Sequence, residues 1–333
     1  HAVAQPAATA AFANAVHALA SHRPHACAHL EDALQVAPTL TAAHALAGMA
    51  GVLLAGRDSL VEAATRLQRA RLSIDRNDGA TVFERALVNA LDNAVSGRLR
   101  AAADVLDDFL YREPNAFLAA KLSHALRFMT GDVDGMVSLT ARLSSECERS
   151  NAGYGYLLGC HAFGLEEIGR LNEAERVGRA ALEIAPDDAW GLHAVAHVFE
   201  TRNQVAEGSG WLEAHRGVWT RCNNLSRHFA WHLALFALGR GDHESVLDIY
   251  DREVAGDLDG DFRDFANAAS MLWRLRQAGI DPGETRWAAL SEVAERHARN
   301  TTLVFGQLHF LLALIGAAHL FDRWRRSDMA RIW

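Results

Sequence analysis

Apolar residues recur along this chain every three to four positions in runs of about fifteen residues, which is the period of amphipathic helices. Strict apolar/polar alternation, the mark of a half-buried strand, is nearly absent. Read in order, the runs predict first helices near residues 7–21, 40–55, 80–95, 115–130, 154–168, 189–202, 226–239, 262–278 and 303–318, most followed by a second, more polar helix. Pro38, Pro114 and Pro186 each stand between one run and the next, where proline closes a helix before another begins. Their separations, 76 and 72 residues, are each about twice a repeat of 34–38 residues, a period that means stacked helical hairpins. The expectation is an all-α, tetratricopeptide-like α-solenoid. It would form one domain over residues 1–333, with about eight or nine hairpins.

The clearest unit is YLLGCHAFGLEEIGRLNEAERVGRAALEIAP. Leu158, Ala162, Gly169, Ala174, Ala181 and Pro186 fall at its large and small positions, small where two helices touch. GYGYLLGCHAFGLEE, DDAWGLHAVAHVFE, HFAWHLALFAL, NAASMLWRLRQAGID and FGQLHFLLALIGAAH resemble consecutive blocks of the tetratricopeptide repeat protein 38 family. TAAHALAGMAGVLLAG and SHALRFMTGD also fit that family's pattern, so the resemblance covers most of the chain. It implies a tetratricopeptide-like helical fold and says little about a reaction.

Composition narrows the partners. The 333 residues are half hydrophobic, yet no run of about 18 uncharged apolar residues appears, so a membrane span is not expected. A net charge of −8 with both signs interspersed argues against a nucleic-acid footprint. Cys27, Cys147, Cys160 and Cys222 are scattered with no CxxC pair, which reads as reduced thiols. The alanine-rich N-terminal stretch lacks a basic run and does not read as a secretory signal, so a cytoplasmic setting is expected.

The 17 histidines carry the candidate chemistry. In HAVAHVFE, His193, His197 and Glu200 share one helix face at spacings of four and three. In tetratricopeptide arrays the first helix lines the concave surface. The repeat register places Glu166, then His193, His197 and Glu200, then His228 with Trp231 on that face, His232 rotated partly away. His193 and His197 could share a divalent ion such as zinc, with Glu200 or a histidine of the next first helix completing the shell. The glutamate of an HExxH helix is absent. Without a metal, His193, His197 and His228 with Glu166 and Glu200 are acid/base candidates. The plainer alternative is that these groups satisfy one another inside the fold.

Trp190 and Trp231 share the face with the histidines and would wall a partly apolar ligand, with His161, His232, Asn267 and His309 as further contacts. Asp264 and Asn267 open another first helix, Asp264 as its cap. Two functions follow. One is a small-molecule site, catalytic or metal-assisted. The other is a scaffold holding a partner peptide. Peptide grooves usually carry Lys, Arg and Asn, whereas this face carries His, Glu and Trp, which favours the small molecule.

Overall fold

A computed structural model describes residues 6–76, 80–297 and 299–326 of the chain. The helices, in chain order, are α1 (Pro6–Ala20), α2 (Ala26–Val36), α3 (Thr41–Leu53), α4 (Arg57–Arg76), α5 (Val82–Val95), α6 (Leu99–Leu110), α7 (Phe117–Met129), α8 (Val133–Glu146), α9 (Tyr154–Glu167), α10 (Leu171–Ile184) and α11 (Ala189–Thr201). They continue with α12 (Val205–Ala214), the single turn α13 (Arg216–Trp219), α14 (Leu225–Gly239), α15 (His243–Ile249), a π-helical turn (Tyr250–Val254), α16 (Phe262–Gln277), α17 (Glu284–His297) and α18 (Val304–Arg326). No strand occurs among the described residues. The architecture is an all-α, tetratricopeptide-like α-solenoid. No helix among the described residues is long and apolar enough to cross a membrane.

Every expected first helix is present at its expected place: α1, α3, α5, α7, α9, α11, α14, α16 and α18. A recurring turn spaces them. Within successive hairpins the chain reverses at a left-handed residue: His22, Ala55, Gly97, Gly131, Gly169, Asn203, Gly241 and Gly279, with φ between +52° and +79°. The backbone N–H after most of these residues bonds back to a carbonyl five residues earlier, as Arg170 does to Leu165 and Asp132 to Arg127. Those bonds satisfy helix-end carbonyls. Five of the eight are glycine, for which the left-handed region carries no steric cost. Polar N-caps start the helices, among them Thr81 with Glu84 in a capping box before α5, Asp132 before α8, Asp188 before α11 and Asp242 before α15. The cap of α16 is Asp261 rather than Asp264. Asp264 lies buried one turn inside, paired to Arg227 at 2.9 Å.

The chain divides into two compact units, His1–Arg202 with Gly217–Asn223, and Asn203–Arg216 with Asn224–Trp333. In the first, small residues let helices approach closely. Ala162, Ala174 and Ala181 are fully buried. Gly159 of α9, Gly178 and Ala181 of α10 and Gly191 of α11 meet at one point, and a Cβ added to Gly159 would overlap the Asp188 carboxylate. The second helices are more polar, as α10 shows with the surface pairs Arg170–Glu173 and Arg179–Glu175. In the second unit α14 packs on α12, α15 and α16, and α18 on α16 and α17.

Arg127 ties α6, α7 and α8 of the first unit together. Its guanidinium, about one-tenth exposed, meets Asp104 at 2.9 Å, Asp107 at 2.6 Å and the N-cap Asp132. Removing the cation would leave the largely enclosed Asp107 and Asp132 facing each other, with the more exposed Asp104 beside them, and no counter-charge. Arg127→Met, which keeps the aliphatic stem, is expected to cost about 3 kcal/mol of stability. Urea unfolding with an unchanged m-value checks this.

Candidate functional site

Trp190 is the centre of a ring cluster in the first unit. The buried Asp188 caps α11 by accepting the N–H groups of Trp190 at 3.2 Å and Gly191 at 3.0 Å, and so sets where the helix begins and where the indole projects. The indole lies 4.7 Å from the Phe163 ring of α9 and 5.2 Å from His193 one turn along its own helix. It meets two rings of α7 edge-on, His124 at 6.2 Å and Phe128 at 6.0 Å. On one side His22, in the left-handed α1–α2 turn, stacks on it at 5.2 Å with planes 13° apart. Lys121 sets its ammonium 5.2 Å from the ring centroid, a cation–π approach.

Lys121, His124 and Phe128 are spaced three and four residues apart on α7, so one stripe of that helix supplies the cation and both rings. Lys121 Nζ is also 3.3 Å from His22 Nε2 and 3.8 Å from Cys160 Sγ. Sequence patterning missed Lys121, although it is the only lysine in the sequence. His124 is held neutral: burial, reinforced by the Lys121 charge, pushes its pKa down to about 3. Burial raises the Cys160 thiol to about 11 against the lowering pull of Lys121, so it remains protonated. Burial also raises Asp188 to about 7, again opposed by Lys121.

Two expected residues pair further along α11. His197 Nδ1 approaches Glu166 Oε2 of α9 at 3.4 Å, and the Thr201 hydroxyl holds the other oxygen of Glu166 at 3.2 Å. His197 and His193 meet edge to face with ring centroids 4.2 Å apart. Glu166, Glu167 and His197 each bring a potential ligand atom within 4.8 Å of the others. Glu167 is exposed by area, yet its carboxyl is partly enclosed, and burial followed by the Glu166 charge raises its pKa. The carboxylate against His197 is thus Glu166, while Glu200 sits half-buried one turn beyond on α11.

Two expected contacts lie elsewhere. His161 of α9 turns to α8, its Nδ1 3.0 Å from Thr140 Oγ1. Thr140 spends its own hydrogen on the Met136 carbonyl at 2.7 Å, so the imidazole N–H is the donor. His309 of α18 folds back on its own helix, Nδ1 to the Phe305 carbonyl at 2.8 Å. Burial first, then the Arg274 charge, lowers its pKa against the raising effect of that bond.

In the second unit His228 and His232 of α14 bring their Nε2 atoms to 3.2 Å, and His228 Nδ1 bonds to Asn267 Oδ1 of α16 at 2.9 Å. Trp231 stacks on His228 at 5.3 Å and meets His232 edge-on at 5.0 Å. The Arg274 guanidinium lies 5.4 Å from the Trp231 ring. His228, His232, Trp231 and Asn267 are therefore brought together, with His232 facing His228 although the repeat register turned it partly away.

Two open clefts of the first unit lie away from these histidines. One of about 310 Å³ is lined by Arg85, Asn89, Asp108 and Arg112, and one of about 630 Å³ by His17, Arg23, His25, Asp187 and Arg221.

No family model matches the chain. Among solved structures, the tetratricopeptide domain of P58(IPK) aligns over 96% of this chain and 90% of its own length, at 13% identity and a TM-score of 0.28. Yeast Tom70 aligns over 96% and 90%, at 12% identity and a TM-score of 0.34.

Two measurements probe the site. The folded state binds the Asp188 proton more tightly than the unfolded chain, where aspartate titrates near 4. Its contribution to stability is therefore full at low pH and is lost as pH rises from about 4 through 7. Asp188→Asn keeps a cap acceptor and removes this loss, so its stability relative to wild type is expected to rise across that window by about 2–4 kcal/mol. Urea unfolding at a series of pH values checks it. Glu166→Gln removes the charge that raises Glu167, so carboxyl-carbon NMR should show Glu167 titrating lower; an unmoved Glu167 would mean that burial alone sets its pKa.

Proposed function

We propose that the chain is a binding scaffold whose ring cluster around Trp190 takes an extended partner segment combining a carboxylate with a neighbouring apolar side chain. The observation that carries this reading is the Lys121 stripe of α7. It sets an ammonium beside the Trp190 face, and one helical turn beyond His124 it leaves Phe128 46% exposed against the same indole. A carboxylate would meet the ammonium, which is steadied by its bond to His22 Nε2 at 3.3 Å. An apolar side chain would lie on Phe128 and Trp190, which already form a rigid edge-to-face wall. Asp188 does not cancel the cation fully near neutral pH, because its own pKa stands at about 7.

The histidine, glutamate and tryptophan pattern alone favours a small-molecule site. Lys121 supplies what that pattern lacks for a peptide groove, and this moves the balance to a protein partner. The resemblance of the sequence blocks to the tetratricopeptide repeat protein 38 family agrees with a repeat scaffold. One observation keeps a second reading in place. The His197–Glu166 contact at 3.4 Å, with His193 beside it, is the arrangement an acid/base pair needs. On that reading Glu200 and Trp190 complete a small-molecule pocket.

Panning random peptides with free C-termini against the wild-type chain, Lys121→Met and Trp190→Ala tests the proposal. Wild type is expected to enrich segments pairing an acidic group with an aromatic or branched residue, at affinities that fall about tenfold or more in both variants. Enrichment that ignores both substitutions would sink the proposal. Failure of any peptide to enrich would leave the acid/base reading to be pursued through Glu166→Gln.

A further inference from the structure

We infer that the two HxxxH pairs, His228–His232 on α14 and His193–His197 on α11, are each a ligand pair for its own divalent transition-metal ion of zinc-like chemistry. The inference rests on other side chains than the peptide reading, which uses Lys121, Phe128 and Trp190.

Consider first the pair of the second unit. His228 donates its Nδ1–H to Asn267 Oδ1 at 2.9 Å, which fixes the tautomer and leaves Nε2 with its lone pair. That nitrogen accepts the Nε2–H of His232 at 3.2 Å, and an ion bound by both would take the place of that proton. Two imidazole nitrogens bound to one tetrahedral zinc at 2.0–2.1 Å stand about 3.3 Å apart, and about 2.9 Å apart at an octahedral ion. The observed separation falls between the two values. Residues four apart on a helix project from the same side, so no backbone movement is needed to bring both nitrogens to one ion. An outward ring nitrogen anchored on a side-chain oxygen is the arrangement that orients metal-ligating histidines and raises their basicity. Asn267 is buried, 8% exposed, and that oxygen is spent on the ring.

The pair of the first unit repeats the construction with different chemistry. His193 and His197 lie edge to face at 4.2 Å and 71°, against 4.6 Å and 75° for His228 and His232. Here the outward nitrogen, His197 Nδ1, faces the Glu166 carboxylate at 3.4 Å, and Thr201 steadies that carboxylate through its second oxygen. An amide anchors one pair and a carboxylate the other. A histidine buried only for packing needs neither a partner imidazole at four residues nor a dedicated acceptor on a neighbouring first helix. Both features occur on both helices. The imidazole sets select borderline ions such as Zn²⁺ over Mg²⁺ or Ca²⁺, which prefer oxygen shells.

The test uses the full chain prepared without a histidine tag, stripped with a chelator and titrated calorimetrically with ZnCl₂, with CoCl₂ as a spectroscopic probe. Wild type is expected to bind Zn²⁺, to give a Co²⁺ spectrum of nitrogen coordination, and to ignore Mg²⁺. His228→Ala and His197→Ala should each weaken at least tenfold the Zn²⁺ equivalent of their own pair and leave the other, with far-ultraviolet circular dichroism unchanged. Asn267→Ala leaves His228 and His232 in place and should weaken the Zn²⁺ equivalent of that pair about tenfold through ring orientation alone. It also carries the test should His228→Ala fail to fold. A wild-type chain that takes up no Zn²⁺ overturns the inference. A pair whose alanine variant keeps wild-type affinity is not a ligand pair, and unchanged affinity in Asn267→Ala removes the role of the amide.

Discussion

The ring cluster around Trp190 depends on how closely α9, α10 and α11 approach. Asp188 sits where they meet, buried, with both oxygens on the first amides of α11. Gly159 and Gly191 leave room for that carboxylate, and Gly178 leaves room for Val195. Were the helices spaced by ordinary side chains, Trp190 would stand farther from Phe163, and the stripe on α7 could not share its faces. The stability given up by burying a carboxylate whose pKa rises to about 7 fixes the position of one indole. That indole in turn orders His22, Lys121, His124, Phe128 and His193.

The helical order was legible because its signals are local. Apolar periodicity, the prolines after α2, α6 and α10 and the small residues Ala162, Ala174 and Ala181 all act within one hairpin, and the first helices stand where these signals place them. The partners of side chains were legible only where helix spacing dictates them. His193 with His197 and His228 with His232 follow from a separation of four. Glu166 against His197 required the repeat register, and Asn267 against His228 required knowing which first helix follows in space. His161 shows the limit. Its helix was placed correctly, yet a hydroxyl on α8 captured the ring, and nothing in the spacing of His161 announces Thr140.

Lys121 and His22 escaped notice for complementary reasons. Lys121 sits in SHALRFMTGD's approach, where a single cation on an apolar run reads as a solvated position, and its significance appears only when α11 brings an indole to it. His22 occupies a hairpin reversal, a position filled elsewhere by Gly97, Gly131, Gly169, Gly241 and Gly279 and by Ala55 and Asn203. A non-glycine residue with φ near +54° carries a backbone cost that glycine would avoid. The ring gained at that cost covers one face of Trp190 and approaches Lys121 Nζ.

Trp190 and His193 join the two proposed activities of the first unit, because they occupy adjacent turns of α11 with rings 5.2 Å apart. An ion held by His193 and His197 would immobilise an imidazole that touches the indole, and so would restrict the wall on which a partner's apolar side chain must lie. A partner pressing on Trp190 would, by the same contact, restrict His193. Coupling of this kind is reciprocal: whatever factor the ion adds to peptide affinity, the peptide must add to ion affinity. Its sign follows from the packing. Phe163 stacks on His193 at 16° and lies 4.7 Å from Trp190, so the three rings already share one arrangement, and each occupant would fix the geometry that the other uses. The coupling is therefore positive, and it passes through a ring cluster built before either ligand arrives.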